Sequence, residues 1–163
     1  MPESGPFVEL QARCEAFVEA VEPRWIEGSQ TVLSQVLIGP SAAWLVAMPN
    51  SAEQIELIHG FGRRAVILRA EGITGPKLIE ALERELSLVH ALTVAFDPVI
   101  PVRGGICVSQ RMLPRFRSLE YMRWPVLPPR VFARMICHDG SLLYRQRVQL
   151  AWEVGQAFAG EKS

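Results

Sequence analysis

Residues 31–48 read TVLSQVLI, then GPS, then AAWLVAM. Thr31–Ile38 is rich in β-branched and aliphatic residues, and Ala42–Met48 resumes the same character after the Gly39-Pro40 break. Each run has the length of an ordinary strand and is bounded by turn residues, so this stretch predicts two strands of a β-sheet. The rest of the chain is read outward from that sheet.

On the N-terminal side, Phe7, Leu10, Cys14, Phe17, Val18 and Val21 recur at steps of three and four, with Glu9, Arg13, Glu15 and Glu19 between them. That spacing predicts an amphipathic helix over Phe7–Val21, stopped by Pro23. On the C-terminal side, Ser51 and Gln54 have capping-box spacing, and Ile55 and Ile58 supply an apolar side. A helix over Ser51–His59 is expected, ending at Gly60. Ala65–Leu68 follows as a short apolar strand. Pro76 then suits the first position of a helix whose stripe is Leu78, Ile79, Leu82, Leu86 and Val89. Leu92–Phe96 is a further strand candidate, closed by Asp97-Pro98.

Prolines at 98, 101, 114, 125, 128 and 129 predict sparse regular structure from Val99 to Arg130, apart from a short strand at Ile106–Ser109. After it, Val131–Cys137 and Leu142–Val148 flank His138-Asp139-Gly140-Ser141. Asp-Gly is a favoured two-residue turn, which predicts an antiparallel hairpin with Arg134 opposite Arg145. Leu150, Ala151, Val154 and Phe158 then suggest a closing helix. The fold expected is α/β or α+β, a mixed β-sheet flanked by helices with a C-terminal antiparallel hairpin. It forms one domain over 1–163: an alternating part at 7–100, a Pro/Arg-rich excursion at 101–130, and a hairpin plus closing helix at 131–160.

The composition of the 163 residues, 49% hydrophobic and 21% charged, is that of a globular domain. No stretch has the run of apolar residues a membrane span needs, and the N-terminus has no signal-peptide pattern. Three cysteines without close pairing fit a reducing compartment, so a cytoplasmic location is expected. The zero net charge hides a segregation. Residues 1–102 hold 7 basic and 13 acidic side chains, whereas residues 103–147 hold 9 arginines against Glu120 and Asp139. Either these arginines pair with the acidic half inside the domain, or they form a face for an acidic partner.

No P-loop, HExxH, GxSxG or CxxC is present. Gly60-Phe61-Gly62-Arg63-Arg64-Ala65 has the spacing of a dinucleotide turn, but the helix is expected before it and the strand after it, the reverse of what a phosphate site needs. His59, His90 and His138 lie on separate elements, the first two near expected helix ends, and no pair has metal-ligand spacing. Cys137-His138-Asp139, read as strand residues, would point to alternating faces and cannot align as a triad. No cofactor and no metal are expected. Trp124 among Arg117, Tyr121, Arg123 and Arg130 fits a single-stranded nucleic-acid groove, a protein-interface anchor, or a core tryptophan with arginines at its rim.

Residues 43–100 resemble part of the type VI secretion effector-adaptor family, chaperones that load a toxin onto the secretion spike. The matching positions are Trp44-Leu45-Val46, Ser51–His59, Gly60-Phe61-Gly62-Arg63, Ala65–Leu68, Pro76–Val89 and Val94–Val99, which contains Asp97-Pro98. The family's opening apolar strand is replaced by Phe7–Val21. Two of its arginines near the Asp-Pro pair are also missing, their places being taken by Val94-Ala95 and Val99. The resemblance implies a bacterial adaptor rather than an enzyme. The function expected is therefore protein binding through Arg111, Arg115, Arg117, Tyr121, Arg123, Trp124, Arg130, Arg134, Arg145 and Arg147, with a partner that carries an acidic surface. A nucleic-acid-binding regulator using the same surface is the first alternative. A small enzyme using His138 or Asp97 is the second.

Overall fold

The computed structural model describes residues 5–49, 55–59, 65–70, 72–113 and 119–161. In chain order the elements are α1 (Pro6–Cys14), β1 (Glu19–Ala20), β2 (Arg24–Trp25), β3 (Val32–Ile38), β4 (Ala43–Pro49), β5 (Ile55–His59), β6 (Ala65–Ala70), β7 (Ile73–Thr74), α2 (Gly75–Phe96), β8 (Val102–Cys107), a 3-10 turn (Gln110–Met112), β9 (Leu119–Tyr121), β10 (Trp124–Leu127), α3 (Pro129–Ile136) and α4 (Tyr144–Glu161). The result is an α+β fold around a mixed, open sheet of seven strands. Its order is β1-β3-β4-β8-β10-β9, with β2 also pairing along β3. β3 and β4 are antiparallel over seven residue pairs, whereas β8 runs parallel to both β4 and β10. A separate antiparallel sheet joins β5, β6 and β7.

Every residue of β3 and β4 is buried, because helices cover both faces of the sheet. Alternation sorts their side chains into two layers. Val32, Val36, Ile38, Ala43, Leu45 and Ala47 pack with Leu78, Ile79, Leu82 and Val89 of α2 and with Leu150, Val154 and Phe158 of α4. Leu37, Trp44, Val46 and Met48 pack with Leu10 and Cys14 of α1 and with Phe132, Ala133 and Ile136 of α3. Buried Gln35 ties α1 to this second face: its side-chain oxygen accepts from Gln11 Nε2, and its own Nε2 donates to the Val21 carbonyl at 2.9 Å.

Two consecutive glycines at the middle of β8 let large rings approach the main chain. A Cβ at Gly104 would overlap the Trp124 ring, and one at Gly105 would overlap the Phe132 ring. Trp124 lies on the α2/α4 face and Phe132 on the α1/α3 face.

Several expectations are corrected. The C-terminal hairpin does not form: residues 129–136 and 144–161 are helices, and Asp139-Gly140 belongs to the loop between them. Gly140 lies against Pro40 and Ser41 there, and Leu142 N donates to the Pro40 carbonyl at 2.9 Å. The helix over Ser51–His59 is replaced by β5 over its described part, Ile55–His59, since residues 50–54 lie outside the described residues. Leu92–Phe96 is the last part of α2 rather than a strand. α1 ends at Cys14, short of Val21, and Glu19–Ala20 within the expected helix form β1. Among its described residues, the stretch 99–130 carries β8, β9 and β10, more than the one short strand expected. No helix among the described residues is long and apolar enough to cross a membrane.

Candidate functional site

The site begins with how α3 is seated. Pro128-Pro129 starts the helix, and Phe132, Ala133 and Ile136 form its buried stripe while Arg130 and Arg134 face outward. Phe132 enters the space left by Gly105 and meets the Trp44 indole edge-on, with ring centroids 6.3 Å apart and planes at 84°. That packing holds the last turn of α3 above the starts of β4 and β8, where register sets Trp44 beside Arg103.

Between them lies a cleft of about 490 Å³, lined by Ser41, Ala42, Trp44, Pro101, Arg103, Arg134, Met135 and His138. Its size is that of a site for a small ligand or one or two partner side chains. The walls are mostly apolar, and the charged or titratable groups are Arg103, Arg134 and His138, with no carboxylate among the lining residues. Trp44 is 3% exposed, and its indole N–H has no acceptor among the described residues. Arg103, Arg130 and Arg134 are exposed, and none has an ion-pair partner among the described residues. Arg134 also sits in the last turn of α3, where a cation favours the helix dipole.

A second concavity of about 520 Å³ lies on the opposite face, between β2 and α2, lined by Arg24, Trp25, Glu27, Ala81, Arg84, Glu85 and Leu88. Its charges are matched. Arg24 pairs with Glu85, which also accepts from Ser34 Oγ at 3.1 Å. Arg84 pairs with Glu27 at 3.5 Å and with Glu80 at 3.4 Å. Arg24 further lies 3.5 Å from the centroid of the Phe158 ring.

The expected partner-binding residues divide. Tyr121 and Trp124 are buried opposite each other in the β9–β10 pair and belong to the core cluster. Arg123 is exposed in the tight turn between those strands, where it and Met122 both have positive φ. Arg111 lies in the 3-10 turn and is partnered. Arg145 is exposed in the first turn of α4. Arg147 donates to the Leu142 carbonyl at 2.6 Å and is committed to the α3–α4 loop. Arg115 and Arg117 lie outside the described residues, as do Gly60, Gly62 and Arg63 of the resemblance. Of its other positions, Asp97 Oδ1 accepts from Val99 N at 3.0 Å in the turn through Pro98, and Trp44 floors the cleft. The cleft therefore unites Trp44, Arg134, Arg103 and His138, of which the sequence had singled out only the first two as binding or motif positions.

His90 is exposed within α2 and not at its end. Among the described residues no group of three His, Cys, Asp or Glu could hold a metal ion. The three thiols meet on the α1/α3 side. Burial, then the adjacent Cys137, pushes Cys14 up to about 12, and burial raises Cys107 further still. Cys137 is also raised by burial, against a hydrogen bond with Cys14 that lowers it. Thiols held in that protonated form are poor nucleophiles. No protein-family model, curated protein or solved structure matches the chain.

Proposed function

We propose that this chain is a non-enzymatic, cytoplasmic binding protein of the adaptor or chaperone kind, and that it holds an acidic segment of a partner protein in the cleft between β4, β8 and the end of α3. The observation that carries this reading is the mismatch of charge. Arg103 and Arg134 stand at an apolar concavity with no carboxylate on its lining and no ion pair among the described residues. A carboxylate from a partner would meet two forked donors there, and an apolar neighbour would cover Trp44 and Met135. Arg130, one turn before Arg134, extends the same cationic side. Loading of a secreted effector is the specialisation that the resemblance over 43–100 supports. Two of the elements behind that resemblance differ here: Ser51–His59 is a strand over its described part, 55–59, and 94–96 of Val94–Val99 belong to α2. Partner capture by the cleft does not depend on it.

The test is a tagged pull-down from native cytosol with and without nuclease, run beside the Arg103→Gln/Arg134→Gln variant. A stoichiometric protein that survives nuclease and is lost with the double variant supports the reading. Capture that persists in the folded variant removes the cleft from it. Loss of the captured material on nuclease treatment transfers the surface to nucleic acid.

A further inference from the structure

α4 is apolar on two sides. Leu150, Val154 and Phe158 are buried against the sheet and α2. Tyr144, Val148 and Trp152, again at steps of four, run along the outside and are 66%, 38% and 60% exposed, with Leu143 at 55% just before them. Within its own chain this outer stripe is met by Arg147, whose guanidinium lies 5.9 Å from the centroid of the Tyr144 ring, while Trp152 stays exposed. Aromatic residues in open water are the residues that anchor protein contacts.

We infer that this outer stripe docks against the same stripe of a second copy of this chain, with the two α4 helices antiparallel. The argument is self-complementarity. A two-fold axis passing between the two helices, level with Val148 and Gln149, sets Tyr144 against the copy's Trp152, and by symmetry Trp152 against the copy's Tyr144. The same operation brings Arg145 level with the copy's Glu153, on the same edge of the stripe, twice per dimer. Neither has an ion-pair partner among the described residues of its own chain, and Glu153 accepts only from Gln149, at 3.3 Å. A parallel arrangement would leave Arg145 and the copy's Glu153 eight residues apart along the axis, about 12 Å, and out of reach of each other. The stripe spans about 12 Å of helix. Its two aromatic residues, at about 150–250 Å² each when wholly covered, supply only part of the roughly 800 Å² per partner that a standard interface buries. The dimer is therefore reversible and dilutes apart.

Sedimentation equilibrium from about 1 to 500 µM reads it directly. The mass average of the native chain is expected to rise from one chain toward two. Trp152→Glu, an exposed substitution that leaves the helix content unchanged by circular dichroism, is expected to stay a single chain throughout. Arg145→Glu and Glu153→Arg are each expected to weaken association about three- to tenfold, and the two together to restore it. A native chain that stays single at the highest concentration overturns the inference and leaves the stripe to a different protein. A dimer indifferent to Trp152→Glu overturns it as well, and failure of the paired charge exchange overturns the antiparallel register.

Discussion

Two concavities among the described residues lie on opposite faces of one sheet and are nearly equal, about 490 Å³ beside α3 and about 520 Å³ beside α2. Both contain two arginines and a tryptophan. They differ in what the arginines touch. Beside α2, Arg24 and Arg84 are matched by Glu85, Glu27 and Glu80, although Glu85 Oε2 is buried with no hydrogen-bond partner among the described residues. Beside α3, Arg103 and Arg134 meet no carboxylate among the described residues. Concavity and cationic residues alone do not mark a binding site. The cleft beside α3 is the one proposed to bind because its arginines are left unmatched among the described residues.

The strongest way to break the comparison is to remove the wall of one side. Phe132→Ala should cost about 3–5 kcal/mol in urea unfolding, since it empties the space between Gly105 and Trp44 and unseats α3. A cost below about 1 kcal/mol would mean that α3 is held by something else. Next in size is Glu85→Gln. It takes the carboxylate from Arg24, whose side chain is only 18% exposed, and should cost about 2 kcal/mol, less than a fully buried pair because both groups keep some water. The Arg103→Gln/Arg134→Gln variant, by contrast, should stay within about 0.5 kcal/mol of the native chain while losing its partner. Equal destabilisation on the two faces would erase the distinction.

An effect absent at neutral pH concerns the buried thiol of the α1/α3 side. Cys14 has an ordinary value of 9.0 and is pushed up to about 12 by burial. Its folded value lies above its unfolded value, so the stability it contributes is fully present below about pH 9. That stability falls as pH rises toward 12, because the unfolded chain releases the proton first. Chemical unfolding at stepped alkaline pH should therefore show a shallower decline for Cys14→Ser than for the native chain. Parallel declines would place the thiol in contact with water.

The central pair β3–β4 was readable because two short apolar runs around Gly39-Pro40 admit little else. α2 was readable from its stripe, although its end was not: no breaker stands between Val89 and Asp97, so the helix runs on through Phe96. The expected hairpin failed by weighing Asp139-Gly140 above a helical period that the sequence does contain, Phe132, Ala133 and Ile136 inside with Arg130 and Arg134 outside. A turn dipeptide fits a loop between two helices as well as one between strands. β5 formed where a capping pattern favoured a helix, since pairing with β6 outweighs a local preference. The cleft was only half legible. Arg103 and Trp44 are 59 positions apart in sequence. They become neighbours through the parallel register of β4 and β8, which no local spacing announces.

The glycine pair in β8 bears on how this sequence can change over time. Because Trp124 presses on position 104 from one face and Phe132 on position 105 from the other, each position is locked to its ring by volume rather than by chemistry. A side chain gained at 104 must be preceded or matched by a smaller residue at 124, and the same holds for 105 and 132. Divergence at this spot thus proceeds by exchanges between distant pairs. Since positions 104 and 105 are consecutive, the history of one face of the sheet constrains that of the other.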